Sequence, residues 1–390
     1  MNRTFAALGP TIFDVVSRRA QALDAINLGQ GFPEEDGPLA LREAAARAIT
    51  EGPNQYPPMR GIPALREAIA RHYERFAPIE LDWKTEVAVT SGATEAIAAA
   101  LLAVVESGDE VIAFEPTYDA YRPLIERAGG IVRTVRLAPP DKEAATWRIP
   151  PGALEAACNP RTKAILVNTP TNPAASIMTE HDIARIEAVC EDRDLIAISD
   201  EVWEHITFDG ALHTTLLARP GLRERTIKIG SAGKMFGFTG WKVGFVCASP
   251  PLLDAVVKAH QFLTFTTPPH LQTAAAVGLD YADDYFLAQR AALTRSRDRL
   301  EATLRAGGFQ TLPTSGAYFL NVDLNASGIA LDDAAFCLHA LDHCAVAAIP
   351  LSAFYGVDPL RHLVRLCFAK RDETLDRGAE RLIQARRMLT

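Results

Sequence analysis

No Cys-x-x-Cys pair occurs in this chain, and its six cysteines, at 158, 190, 247, 337, 344 and 367, are scattered, mostly through apolar stretches. That pattern argues against a disulfide framework and suits reduced core thiols. Long apolar runs are also missing. The longest, Ala96–Val105, has ten residues between Glu95 and Glu106, too few to span a bilayer. Positive charge is in deficit, with a net charge of −8. No global basic field is therefore available to attract nucleic acid or an anionic membrane. No Gly-x-Gly-x-x-Gly follows a strand-like segment, which disfavours a nicotinamide dehydrogenase. Internal repeats and low-complexity linkers are absent. The first ten residues, Met-Asn-Arg-Thr-Phe-Ala-Ala-Leu-Gly-Pro, lack a signal-peptide apolar region. The expectation is a cytoplasmic enzyme.

What is present is a chain of 390 residues, 48% hydrophobic and 23% charged, long enough for two domains. Phe13, Val15 and Val16 begin a short helical pattern. Pro38–Glu51 and Pro63–Tyr73 read as helices, separated by the breaker Asn54-Gln55-Tyr56-Pro57-Pro58. From Glu86 onward, short apolar segments alternate with helical ones. The strands are Val87–Ser91, Glu110–Phe114, Ile131–Leu137, Lys163–Asn168, Leu195–Ser199, Thr226–Gly230 and Val243–Ala248. Such alternation predicts an α/β fold: a mostly parallel seven-stranded sheet with helices on both faces. After residue 282 the pattern changes to helices mixed with the strands Ala317–Val322, Val346–Ile349 and Leu363–Phe368. The expected division is a large domain over 47–282 and a smaller α+β domain from 1–46 and 283–390.

The stretch Ser231–Phe245 is Ser-Ala-Gly-Lys-Met-Phe-Gly-Phe-Thr-Gly-Trp-Lys-Val-Gly-Phe. The gap between its flanking strands is too short for a crossover helix, so they should pair antiparallel at the end of the sheet. Its glycines permit sharp turns and close backbone approach. Read alone, Lys234 in this loop is either a surface lysine or a Schiff-base nucleophile. Four other stretches also follow strand ends or lie on a strand: Ser91-Gly92-Ala93-Thr94-Glu95-Ala96, Asn168-x-Pro170-x-Asn172-Pro173, Ser199-Asp200-Glu201-Val202 and Arg365-Leu366-Cys367-Phe368. Ligands of open α/β sheets bind beyond the carboxyl ends of the strands.

These five motifs, in this order, resemble the class I/II pyridoxal-phosphate-dependent aminotransferases, with an aspartate-aminotransferase-like fold. Asn27-Leu28-Gly29-Gln30-Gly31-Phe32-Pro33, Gly240-Trp241-Lys242-Val243-Gly244 and Ile349-Pro350-Leu351-Ser352-x-Phe354 resemble the subgroup of kynurenine, glutamine–phenylpyruvate and methionine aminotransferases. The resemblance implies pyridoxal 5′-phosphate held by Lys234 as a Schiff base, with Asp200 at the ring nitrogen and Asn172 at O3′. A carboxylate there keeps the nitrogen protonated. Gly92, Ala93 and Thr94 open a helix and would meet the phosphate through backbone N–H groups; Ser231 and Lys242 resemble further phosphate ligands. Many relatives have arginine at Lys242, so a fork becomes a point charge. Tyr118 resembles the aromatic stacked on the ring. Trp203 replaces the family's tyrosine and, with only an indole N–H, can donate a hydrogen bond but not accept one. Ala174-Ala175 replaces a frequent Thr-Gly.

Arg365 resembles the arginine that forks the substrate carboxylate, with Gly31, Asn172, Phe13 and Phe354 completing the substrate side. Tyr56 resembles a residue donated across a homodimer interface, and Phe265-Thr266 aligns with a loop that also crosses. The uncharged Phe265-Thr266-Thr267-Pro268 supplies no second arginine for a dicarboxylate. The expected activity is ping-pong transfer of an amino group from methionine, glutamine or an aromatic amino acid, including kynurenine, to a 2-oxo acid. The alternatives are a cysteine-conjugate β-lyase on the same scaffold and a non-catalytic cofactor-binding regulatory domain. His339 and His343, at i, i+4 beside Cys344, raise metal binding as a local alternative; the expectation is no metal.

Overall fold

The computed structural model describes residues 3–6, 8–142 and 144–389. A two-residue strand, β1 (Ile26–Asn27), precedes the main sheet. That sheet contains β2 (Val87–Thr90), β3 (Glu110–Glu115), β4 (Ile131–Arg136), β5 (Thr162–Asn168), β6 (Ile196–Asp200), β7 (Thr226–Ser231) and β8 (Gly244–Ala248). Their spatial order is β2-β8-β7-β6-β5-β3-β4. Six strands share one direction; β8 opposes both of its neighbours.

Sequence alternation explains how the sheet is covered on both sides. Val111, Ala113, Ala164 and Leu166 pack with Ile97, Leu101, Leu253 and Val256 from the helices Ala93–Val104 and Pro250–Leu263. The intervening Ile112, Phe114, Ile165 and Val167 pack the opposite way, with Ile183, Ile186 and Val189 of the helix Glu180–Arg193. A period of two sends successive side chains to opposite faces. Each such aliphatic side chain contributes about 1.5–3 kcal/mol when fully buried.

The remaining strands are β9 (Gln310–Thr311), β10 (Phe319–Asp323), β11 (Val346–Ala347), β12 (Ile349–Pro350) and β13 (Leu363–Cys367). Four of them form an antiparallel sheet in the order β12-β13-β10-β9, and β11 pairs in parallel with β1. Their core, including Phe319, Leu320, Phe336 and Leu366, also takes in Leu28 from the N-terminal segment.

Four expectations need correction. The antiparallel pair is not at the sheet end, because β2 lies outside β8, with Thr90 opposite Gly244. A Cβ on Gly244 would stand 2.5 Å from the Gly92 carbonyl carbon, so glycine lets the turn after β2 lie against β8. The single strand expected over Val346–Ile349 is two, because the chain changes partners after Ala347. Lys234 sits on one helical turn, Ala232–Met235, rather than in an open loop. The expected 46/47 boundary also falls within a continuous helix, Leu39–Glu51. Leu41 of that helix packs with residues of the large-sheet side such as Leu65 and Val89, and Ala44 and Ala45 pack with Ala274. Among the described residues no helix is long and apolar enough to cross a membrane.

Candidate active site

The carboxyl ends of β2, β5, β6 and β7 converge on a cavity of about 250 Å³. Ala93, Thr94, Tyr118, Asn172, Asp200, Trp203 and Lys234 line it, as do Phe13, Gly31 and Arg365 from the chain's two ends. Most of the expected residues are thus brought together from segments far apart in sequence.

Asp200 ends β6 and is buried. One carboxylate oxygen accepts the Tyr121 hydroxyl proton at 2.6 Å; the other accepts the Val202 N–H at 3.3 Å. Burial pushes its carboxyl up from the usual range, and those two donors oppose the rise. Lys234 follows β7 on the turn Ala232–Met235. Its Nζ stands 4.6 Å from the Trp203 ring centre and 3.4 Å from the Tyr318 hydroxyl. Among the described residues it has no carboxylate within ion-pair distance. Burial therefore dominates and brings its amine down to about 8.

Arg365 lies on β13 and is 1% exposed. Its guanidinium donates to the Asn172 side-chain oxygen at 2.7 Å and to the Gly29 carbonyl at 2.8 Å. Asn172 is itself fixed, because its backbone N–H donates to the Asn168 side chain at 2.7 Å. The aromatic rings of Phe319, Phe13 and Phe354 surround the guanidinium at 4.1, 5.1 and 5.1 Å. Its Nε is buried and has no partner among the described residues. Burial lowers its proton affinity to about 10, yet it stays charged near neutrality. A buried guanidinium without a carboxylate calls for an anion.

Gly92, Ser231 and Lys242 do not line the cavity but gather beside its Ala93–Thr94 end. Ser231 lies opposite Gly244 in the β7–β8 pair, and the turn at Gly92 packs on Gly244. Gly92 has φ +82°, and a Cβ there would lie 3.1 Å from Lys242 Nζ. Glycine thus lets an ammonium approach the start of the helix Ala93–Val104, where N–H groups point outward. Tyr56 is not brought to the cavity: it is 82% exposed and packs on Phe265, ring centres 5.3 Å apart. Phe354 reaches Arg365 but does not line the cavity.

The donor set fits pyridoxal phosphate. Its cavity offers an amine without an acid partner, a buried carboxylate, and a helix start with a lysine beside it. Tyr118 supplies an aromatic wall whose hydroxyl burial pushes up to about 12. Sequence reasoning missed Tyr121, Tyr318 and Phe319. The three-residue spacing from Tyr118 was a local signal for Tyr121, although Tyr118 itself precedes the helix Tyr121–Arg127.

Residues 24–382 match the family model described as aminotransferase class I and II. The chain belongs to the class I and II aminotransferases. It is 43% identical to the methionine aminotransferase of Escherichia coli (strain K12) over 378 residues, 97% of this chain and 96% of that protein. It is 32% identical to kynurenine–oxoglutarate transaminase 1 of Mus musculus over 394 residues, covering 94% and 93%. A solved N-succinyldiaminopimelate aminotransferase from Mycobacterium tuberculosis superposes with a TM-score of 0.95 at 42% identity, covering 99% of this chain and 100% of that one. The chain is a pyridoxal-phosphate-dependent aminotransferase with the α/β fold of that class. These relatives are all transaminases by name, which favours amino transfer over the β-lyase and regulatory alternatives.

Proposed function

We propose that Lys234 is the residue that holds the cofactor and moves the proton in this aminotransferase. The observation that carries the reading is an amine in the cavity, poised near neutrality with no acid partner, facing a buried arginine that also lacks one. When bound, pyridoxal phosphate supplies an electron sink for the bond broken at the substrate's α-carbon. Asp200 keeps the ring nitrogen protonated, with Tyr121 fixing its orientation. Asn172 meets the ring oxygen while its side chain steadies Arg365. Gly92, Ala93, Thr94, Ser231 and Lys242 hold the phosphate; Tyr118 and Trp203 wall the ring. Arg365 and Gly31 take the substrate carboxylate, and Phe13 and Phe354 shield that pair from water. Lys234, once free, is a tethered base beside the α-carbon.

The amino acid end of the pocket is bounded by Phe13, Phe32 and Phe319. It suits uncharged side chains, so methionine, glutamine and aromatic amino acids including kynurenine are the proposed donors to a 2-oxo acid, in a ping-pong cycle. A buried, unpaired aspartate carboxylate would cost several kcal/mol, by order of magnitude. The exposed Tyr56 and Phe262, at 82% and 86%, support a homodimer in which Tyr56 completes the partner's site. We further propose two domains, the larger over 39–282 and the smaller from the rest, in a cytoplasmic enzyme. The test is kcat/KM for methionine and phenylalanine against aspartate with one oxo acid. Ratios well above one are expected; a ratio at or below one, or a stronger preference for N-succinyldiaminopimelate chemistry, would refute the substrate reading.

A further inference from the structure

The group that meets the Lys234 amine is a phenol. Tyr318 is 1% exposed, and its oxygen stands 3.4 Å from Nζ. Its one proton is already committed, because the hydroxyl donates to the Gly31 carbonyl at 2.8 Å. With that proton spent, the oxygen offers Lys234 lone pairs only. The ring is held edge-on by Trp203 and Phe319, at centroid distances of 4.3 and 5.2 Å. The preceding residue, Ala317, has φ +58°, which is unfavourable for a residue with a Cβ. Such strain persists where its surroundings enforce it; here the Ala317 N–H donates to the Ile206 carbonyl at 3.0 Å. The turn delivers Tyr318 to Lys234 and Phe319 to Arg365, the two cations of the cavity.

We infer that the Tyr318 hydroxyl is the positioning group for the Lys234 amine, favouring its protonated form and tying it to the Gly31 segment. This rests on the reading of Lys234 given above. The other groups facing the amine are Asp200 at the end of β6 and Cys367 on β13, which favour protonation, and Lys242 before β8 and Arg365 on β13, which oppose it. None of them has the hydrogen-bond contact that Tyr318 makes. An acceptor binds an ammonium more strongly than a neutral amine. Its loss should therefore move the amine's titration down by about one unit.

Tyr318→Phe keeps the ring and removes only the hydroxyl. The full-length enzyme is loaded with pyridoxal phosphate, treated with excess methionine without oxo acid so that Lys234 is free, and desalted. It is then carbamylated with cyanate across a pH series, and modification of Lys234 is followed by peptide mass mapping. The wild-type rate should titrate with a midpoint near 8 and that of Tyr318→Phe about one unit lower. In turnover, kcat should fall several-fold with KM little changed, and the isotope effect with α-deuterated methionine should rise. Borohydride reduction of the loaded variant should still mark Lys234. An unchanged midpoint with Lys234 still marked would overturn the role of Tyr318 alone. Marking of a different lysine, in the variant and in wild type, would overturn the reading of the site itself.

Discussion

Lys228 and Lys234 lie close together, on β7 and on the turn that follows it, and their surroundings are opposite. Lys228 has no exposure and is wrapped in acid: Glu204 at 2.9 Å and Glu201 at 3.5 Å, with the Tyr73 hydroxyl at 2.6 Å. Burial alone would lower its proton affinity, but the two carboxylates outweigh it and raise it. Lys234 has aromatic faces and a phenol in place of acids, and burial brings it down to about 8. The acids around Lys228 follow Asp200 directly in sequence. One loop thus sends Asp200 into the cavity and Glu201 and Glu204 behind it. A buried lysine with acid partners is a permanent cation that locks structure. Without them it is an amine available near neutral pH as nucleophile and base.

The largest expected difference between the two is in turnover. Lys234→Ala should lower kcat by about 10⁴-fold through loss of the tethered base, while urea unfolding stays within about 1 kcal/mol of wild type, as for substitutions that leave no group unpaired. Lys228→Met should do the reverse. It leaves Glu201 and Glu204 buried without their cation, at a cost of about 3–5 kcal/mol in urea unfolding, while the folded protein keeps turnover within about tenfold of wild type. If Lys228→Met were stable but inactive, the division between structure and chemistry would collapse.

A smaller effect sharpens the structural half. His72 and His205 share a hydrogen bond of 2.7 Å between ring nitrogens beside Lys228. Burial holds His72 down at about 3 and His205 well below the usual imidazole value. Both are neutral in the folded chain and charge readily only when unfolded. Stability is therefore lost as pH falls from about 6.5 toward 3, on the order of 2 kcal/mol per histidine between pH 7 and 5. Urea unfolding of a His72→Phe/His205→Phe variant over that range should show a much flatter slope; the neighbouring rings of Phe76 and Phe286 can accept the substitutions. Glu201 acts in a lower window. Burial would raise its carboxyl, but Lys228 and His213 outweigh this and hold it at about 2. Its contribution is present above the ordinary glutamate value and disappears as pH falls from about 4.5 toward 2.

Much of this arrangement could be read in the sequence, because much of it is local. The seven strands of the large sheet announced themselves as short apolar segments between helical ones, and Lys234, Asp200, Asn172 and Arg365 each sit in a compact motif at or near a strand end. Strand order was less legible. Nothing in Val87–Thr90 says that it will flank β8 on the far side, since that depends on Gly244 making room for Gly92. The missed residues share one property: their partners are distant in sequence. Tyr121 gives its proton to Asp200, 79 positions away, and Tyr318 to Gly31, 287 positions away. No spacing rule reaches that far. Lys228 was passed over for the same reason, since Tyr73 and Glu204 come to it from separate segments.

Which of the two buried lysines does the chemistry is decided by one covalent experiment. The enzyme loaded with pyridoxal phosphate is reduced with borohydride, digested, and mapped by mass spectrometry for the phosphopyridoxyl group. The label should appear on Lys234 in wild type and in folded Lys228→Met, and vanish from that position in Lys234→Ala without moving to Lys228. Label on Lys228 or another lysine in the wild-type enzyme would contradict the account.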